Sequence, residues 1–139
     1  DLIENEVNTA KSILEKNGFS CETSITEGNA LDKGCSILIF SSDSSSVIGS
    51  DIIYQKNTNG MGQQVAERFV KSDLGVDTYL SDMLVVPLSL IKETSVYRVK
   101  EITKHLETNL FVASKITGCK YGIGKLDNGF EVRISGLDA

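Results

Sequence analysis

The chain reads as an α+β protein with helices packed on one face of small mixed sheets, and three observations carry that reading. Apolar residues recur at helical spacing in four stretches and alternate, or run together briefly, in others. Turn signals such as Asn17-Gly18, "NTNGMG" and Asp127-Asn128-Gly129 separate them. Beyond Gly75 the order helix, strand, helix, strand, strand is that of a small sandwich, with sheet on one side and helices on the other. The 139 residues, 40% of them apolar, suffice for one ordinary domain or for a small domain plus part of another.

Taken in order, Leu2, Ile3, Val7, Ala10, Ile13 and Leu14 recur at helical spacing and predict a helix over residues 3–16. "FSCETSI" alternates and reads as a strand. "CSILIF" is a short continuous apolar run and reads as a buried strand, followed after "SSDSSS" by a second strand in "VIGSDIIYQK", so the two form a hairpin. The serine cluster is a turn, because no Gly-rich loop or lysine of the P-loop kind accompanies it. "MGQQVAERFVKSD" puts Val65, Ala66, Phe69 and Val70 on one side of a helix. Residues 1–74 therefore form an α/β unit.

The pattern restarts in "VDTYLSDMLVVPLSLIK", a helix expected to bury Val76, Leu80, Leu84, Leu88 and Ile91, with Asp77 or Thr78 at the cap. "SVYRVKEIT" is a strand, "HLETNLFVASKITG" a helix closed by Gly118, and "CKYGIGKLDNGFEVRI" a hairpin. Residues 75–139 form this second unit.

Charge and composition narrow the function classes. The net charge of −5 and pI of 4.9 argue against nucleic-acid binding through bulk electrostatics. The charge is uneven: six Lys and Arg face thirteen Asp and Glu up to Ile91, whereas eight face six from Lys92 onward, so a phosphate-bearing partner should prefer the second part. No apolar run approaches the roughly 20 residues of a bilayer span, and no secretory signal opens the chain, so no membrane association is expected. Three cysteines without a close pair suggest neither disulfides nor zinc and fit a reduced cytoplasmic setting. The chain starts at Asp1 without an initiator Met and enters a helix at once, as a fragment of something longer would.

Two places hold residues with chemistry. Tyr79, Asp82 and Met83 fall in one sector of their helix, away from the predicted apolar stripe, and Pro87 has no N–H to give the Met83 carbonyl. Two readings fit: a solvated face with a tolerated kink, or a ligand surface with a ring, a carboxylate and a free carbonyl. His105, the only histidine, lies where a strand turns into a helix, and its imidazole is nucleophilic near neutral pH. A lone His is more often a surface or hydrogen-bonded residue, and Thr108 and Asn109, read as lying on the first turn, are candidates to cap it. A single His excludes a zinc site of two or more His, so no protein metal ligands are expected.

"GVDTYLSDMLVVPLSL" followed after a strand by "KHLETNLFVASKITGCKYGI" resembles the C-terminal signature of RNA 3′-terminal phosphate cyclases, in which a "VD-x-x-L-x-D-Q-L" helix precedes a strand and an "H-x-x-T-N" helix start. The resemblance implies that His105 is the nucleophile that attacks the α-phosphorus of ATP, with Mg²⁺ or another divalent cation, and forms a covalent His-AMP. The adenylate would pass to an RNA 3′-phosphate, and the 2′-hydroxyl would then close a 2′,3′-cyclic phosphate. It assigns Tyr79, Leu80, Ser81, Asp82 and Met83 to nucleotide binding, with Lys104, Thr108 and Asn109 in support. Met83 stands where the family carries Gln.

The same resemblance implies that residues 1–74 are the later part of a thioredoxin-like inserted domain and that residues 75–139 are the last βαββ-type unit of the catalytic domain. An N-terminal part of the enzyme would be a required partner, without which this chain is expected to be inactive, and a homo-oligomer is left open. Two alternatives stand beside the enzyme: a non-catalytic cyclase-like ribosome-assembly factor, or an acidic module that binds a protein through an exposed sheet edge.

Overall fold

The computed structural model describes residues 2–56 and 58–136. The architecture is α+β: among the described residues, four helices accompany a two-stranded and a three-stranded antiparallel sheet. The chain divides into two compact units, the first made of residues 1–41 and 49–71 and the second of residues 42–48 and 72–139.

In the first unit, α1 (Leu2–Lys16) buries Ala10 and Leu14, and α2 (Met61–Lys71) buries Met61, Val65, Ala66 and Phe69. The helices approach so closely at Gly62 that a β-carbon there would overlap the Glu6 carbonyl. The Glu6 carboxylate also reaches across and accepts the Gly62 N–H at 2.7 Å. The hairpin of β1 (Ser36–Ser42) and β2 (Val47–Ile53) adds Ile37, Ile39 and Ile52 to a cluster with Met61 and Val65.

Two expectations change here. "CSILIF" is not buried throughout: it alternates, with Ile37 and Ile39 turned inward and Leu38 and Phe40 exposed, because a two-stranded sheet with one covered face can bury only every second residue. "FSCETSI" is not a strand, since no partner strand among the described residues supplies a ladder for it. Its first residue folds back instead, the Phe19 N–H bonding to the Leu14 carbonyl and its ring packing edge-on against Phe69, centroids 5.4 Å apart.

The second unit contains α3 (Thr78–Ser89), β3 (Thr94–Val99), α4 (Lys104–Thr117), β4 (Lys120–Leu126) and β5 (Gly129–Ser135), with strand order β3-β5-β4. Asp127 and Asn128 make the two-residue turn between the last two strands. In register, Tyr97 faces Val132 and Val132 faces Ile123. Val132 and Ile134 on the central strand are fully buried, and with Val99, Val85, Leu106, Leu110, Ala113 and Cys119 they form the core. Gly118 ends α4 in the left-handed conformation at φ 76, which a side chain would strain.

The buried face of α3 differs from expectation. Ser81, Val85 and Ser89 point into the unit, Leu80, Leu84 and Leu88 are only half-buried, Val76 precedes the helix and Ile91 follows it. Small residues let the helix lie close to the sheet, so packing distance rather than leucine count selects the inward face.

The serine-rich turn is organised by Asp43, whose carboxylate accepts from the backbone N–H and hydroxyl of both Ser45 and Ser46 at 2.7 to 3.1 Å. These bonds, the Ser45 N–H foremost, hold its pKa down from 3.8 to about 2. The turn should therefore keep its full contribution above pH 4 and lose it as pH falls through about 2, and an NMR titration of the Asp43 carboxyl carbon with a midpoint near 4 would contradict this. Gly62→Ala, in turn, is expected to destabilise the first unit by about 1–3 kcal/mol in urea unfolding followed by circular dichroism.

Candidate functional site

Helix caps position the residues of interest. Asp77 begins α3 by accepting the Leu80 N–H at 2.9 Å. Tyr79 in the first turn and Met83 one turn later stand outward, 74% and 73% exposed, and Val86 and the C-cap residue Leu90 continue the same exposed apolar line. Leu80 is half-buried. Ser81 is turned inward, only 1% exposed, and Asp82 lies between the two sides, half-buried.

Ser81 is fixed to β3. The Tyr97 hydroxyl donates to the Ser81 carbonyl at 3.2 Å, and the Ser81 hydroxyl donates to the Tyr97 oxygen at 3.4 Å. Burial pushes the Tyr97 phenol above its usual value; the Ser81 hydroxyl bond opposes this and the Asp82 charge adds to it.

The start of α4 is set by Thr103, which is extended at φ −80 and ψ 157 and accepts the Leu106 N–H at 3.0 Å. The same hydroxyl donates to Asp82 Oδ1 at 3.3 Å. One threonine thus joins the carboxylate of α3 to the first turn of α4. Lys104 and His105 are the first two residues of that helix and both are exposed. Their backbone N–H groups precede the helical hydrogen-bond ladder and are open to an acceptor. Among the described residues the His105 imidazole makes no hydrogen bond to the chain.

Thr108 and Asn109 do not cap the helix as expected. They lie in its second turn, because α4 begins at Lys104, and the Thr108 hydroxyl donates back to the Lys104 carbonyl at 2.7 Å. Arg98 is on the sheet face away from Tyr97 and the helices, 3.9 Å from Glu131. No group of three or more His, Cys, Asp or Glu among the described residues is placed to hold a metal ion.

Thr103 and Tyr97 escaped the reading of the sequence. A Thr just ahead of a helical pattern is an N-cap signal and was available for Thr103. Nothing local signals that Tyr97 reaches Ser81.

The family model for RNA 3′-terminal phosphate cyclase matches residues 3–123. A protein of that name from Pyrobaculum neutrophilum is 23% identical over 143 residues, covering 98% of this chain and 41% of the relative. One from Methanosarcina acetivorans is 27% identical over 134 residues, covering 93% of this chain and 36% of the relative. Over a shorter stretch of 59 residues, one from Trichormus variabilis is 39% identical, covering 42% of this chain and 16% of that protein. The chain thus spans at most 41% of the length of these relatives. With the family model matched over most of its residues, the chain belongs to the RNA 3′-terminal phosphate cyclase family.

Proposed function

We propose that this chain is the C-terminal part of an ATP-dependent enzyme that converts an RNA 3′-phosphate into a 2′,3′-cyclic phosphate, and that it carries the nucleophile. In this reading residues 1–74 are the later part of the inserted small domain and residues 75–139 the last unit of the catalytic domain. The N-terminal part of the enzyme is the required partner, consistent with the share of the relatives that this chain spans.

The observation that carries the proposal is the Thr103 bond to Asp82, which brings the helix bearing Tyr79, Asp82 and Met83 against the turn bearing His105. In the first step an imidazole nitrogen of His105 attacks the α-phosphorus of ATP, the phosphorus–oxygen bond to pyrophosphate breaks, and a phosphoramidate to AMP forms. The RNA 3′-phosphate then displaces the histidine and takes the adenylate. Attack by the neighbouring 2′-hydroxyl on the 3′-phosphorus expels AMP and closes the ring. An exposed imidazole that makes no hydrogen bond among the described residues suits the nucleophile, and the open N–H groups of the first turn of α4 suit phosphate oxygens. Tyr79 offers a ring for the base and Asp82 an acceptor for a sugar hydroxyl.

Incubation of the assembled enzyme with ATP labelled at the α-phosphate should leave acid-labile, alkali-stable label on the chain, and His105→Ala should abolish it. A folded, complete assembly that takes up no label would refute nucleotidyl transfer and favour the non-catalytic, assembly-factor reading. Because Tyr79 is exposed, Tyr79→Ala should leave the fold intact and weaken ATP binding by about 1–3 kcal/mol, the range for loss of a base-stacking ring, read as an increase in KM for ATP.

A further inference from the structure

We infer that Thr103 is a positioning residue for nucleotidyl transfer, its hydroxyl locking the Asp82 carboxylate to the first turn of the His105 helix. The inference rests on the proposed adenylylation and deepens it. A threonine that caps a helix needs only its oxygen as an acceptor, and its proton is then free for another partner. Here that proton goes to Asp82 Oδ1 on a different helix, 21 residues earlier in the chain. Both functions of one hydroxyl are used, and they tie together the two groups that a nucleotide would have to meet at once.

The rest of the packing does not supply this constraint. The core between α3, α4 and the sheet is apolar, with Val85, Leu106 and Leu110 among its buried residues, and such non-directional contacts do not orient a carboxylate. Ser81 is fixed to Tyr97, which sets the backbone beside Asp82 but leaves the carboxylate torsion free. Thr103 alone among the described residues hydrogen-bonds the Asp82 side chain, so Oδ1 is held and Oδ2 is left for a ligand. A nucleotide gripped by Oδ2 is thereby placed relative to His105 two residues along α4. Displacement by about 1 Å at such a centre costs on the order of a hundredfold in rate.

Two substitutions separate the cap from the tether. Thr103→Ser keeps both functions. Thr103→Asp keeps the cap, since aspartate caps helices at least as well as threonine, but has no proton to give and sets a carboxylate against Asp82. Two quantities are measured: hydrogen exchange of the Leu106 amide in this chain, and the rate of His105 labelling against ATP concentration in the assembled enzyme. Thr103→Asp should retain Leu106 protection while labelling at saturating ATP falls on the order of a hundredfold, with Thr103→Ser within a few fold of wild type. Labelling by Thr103→Asp at the wild-type rate, a change confined to KM, or loss of label together with loss of Leu106 protection would each overturn the inference. If the wild-type assembly takes up no label, the cyclase reading itself falls and takes this inference with it.

Discussion

Within the second unit and among the described residues, the helices cover one face of the three-stranded sheet, and the placement of the candidate site follows from that. Val132 and Ile134 on the central strand require both α3 and α4 on the same side. Strand alternation then sends Arg98, Glu131 and Arg133 to the open side, where Glu131 pairs with both arginines at 3.9 and 3.4 Å. These are exposed ion pairs of small energetic weight, and the stability of the unit rests on the apolar side.

The covered side has its own condition, because α3 reaches the sheet through serines. A buried hydroxyl without a partner costs about 1–3 kcal/mol, and both are satisfied: Ser89 donates to the Val86 carbonyl at 2.8 Å, and Ser81 exchanges bonds with Tyr97. The bonds between Ser81 and Tyr97, which cross from α3 to β3, fix the rotation of the helix about its axis. With Ser81 inward, successive residues step by about 100°, so Asp82 swings to the side where α4 begins and Tyr79 and Met83 are carried outward. The site is a geometric by-product of how closely α3 packs.

Much of this was legible in the sequence. The four helices and the two hairpins follow from local periodicity and turn residues, as at Asp127-Asn128-Gly129 and the Gly118 cap. The errors share a cause: each depends on a neighbour remote in sequence. "FSCETSI" alternates like a strand, yet alternation cannot supply the second strand that a ladder needs. "CSILIF" was misjudged because burial on two faces depends on what covers each face. Leu80, Leu84 and Leu88 outweigh Ser81 and Ser89 in any hydropathy count, but close approach to a sheet favours small side chains. His105 and Asp82 stood out by residue type and by resemblance, whereas the Thr103 bond that joins their helices spans 21 residues and leaves no local trace.

The partner choice of Asp82 also separates two kinds of histidine chemistry. A histidine acting as a general base is ordinarily oriented by a carboxylate bonded to its second ring nitrogen, which fixes the tautomer and stabilises the imidazolium. Here one oxygen of the Asp82 carboxylate accepts from Thr103, and the imidazole is bonded to no residue among those described. Such a histidine lacks the support of a dyad but keeps both nitrogens accessible at the open end of a helix. That suits direct attack on phosphorus, where alignment with the leaving group matters more than proton affinity. Under the proposed adenylylation, an orienting partner for the second ring nitrogen of His105 would come from the part of the enzyme outside this chain.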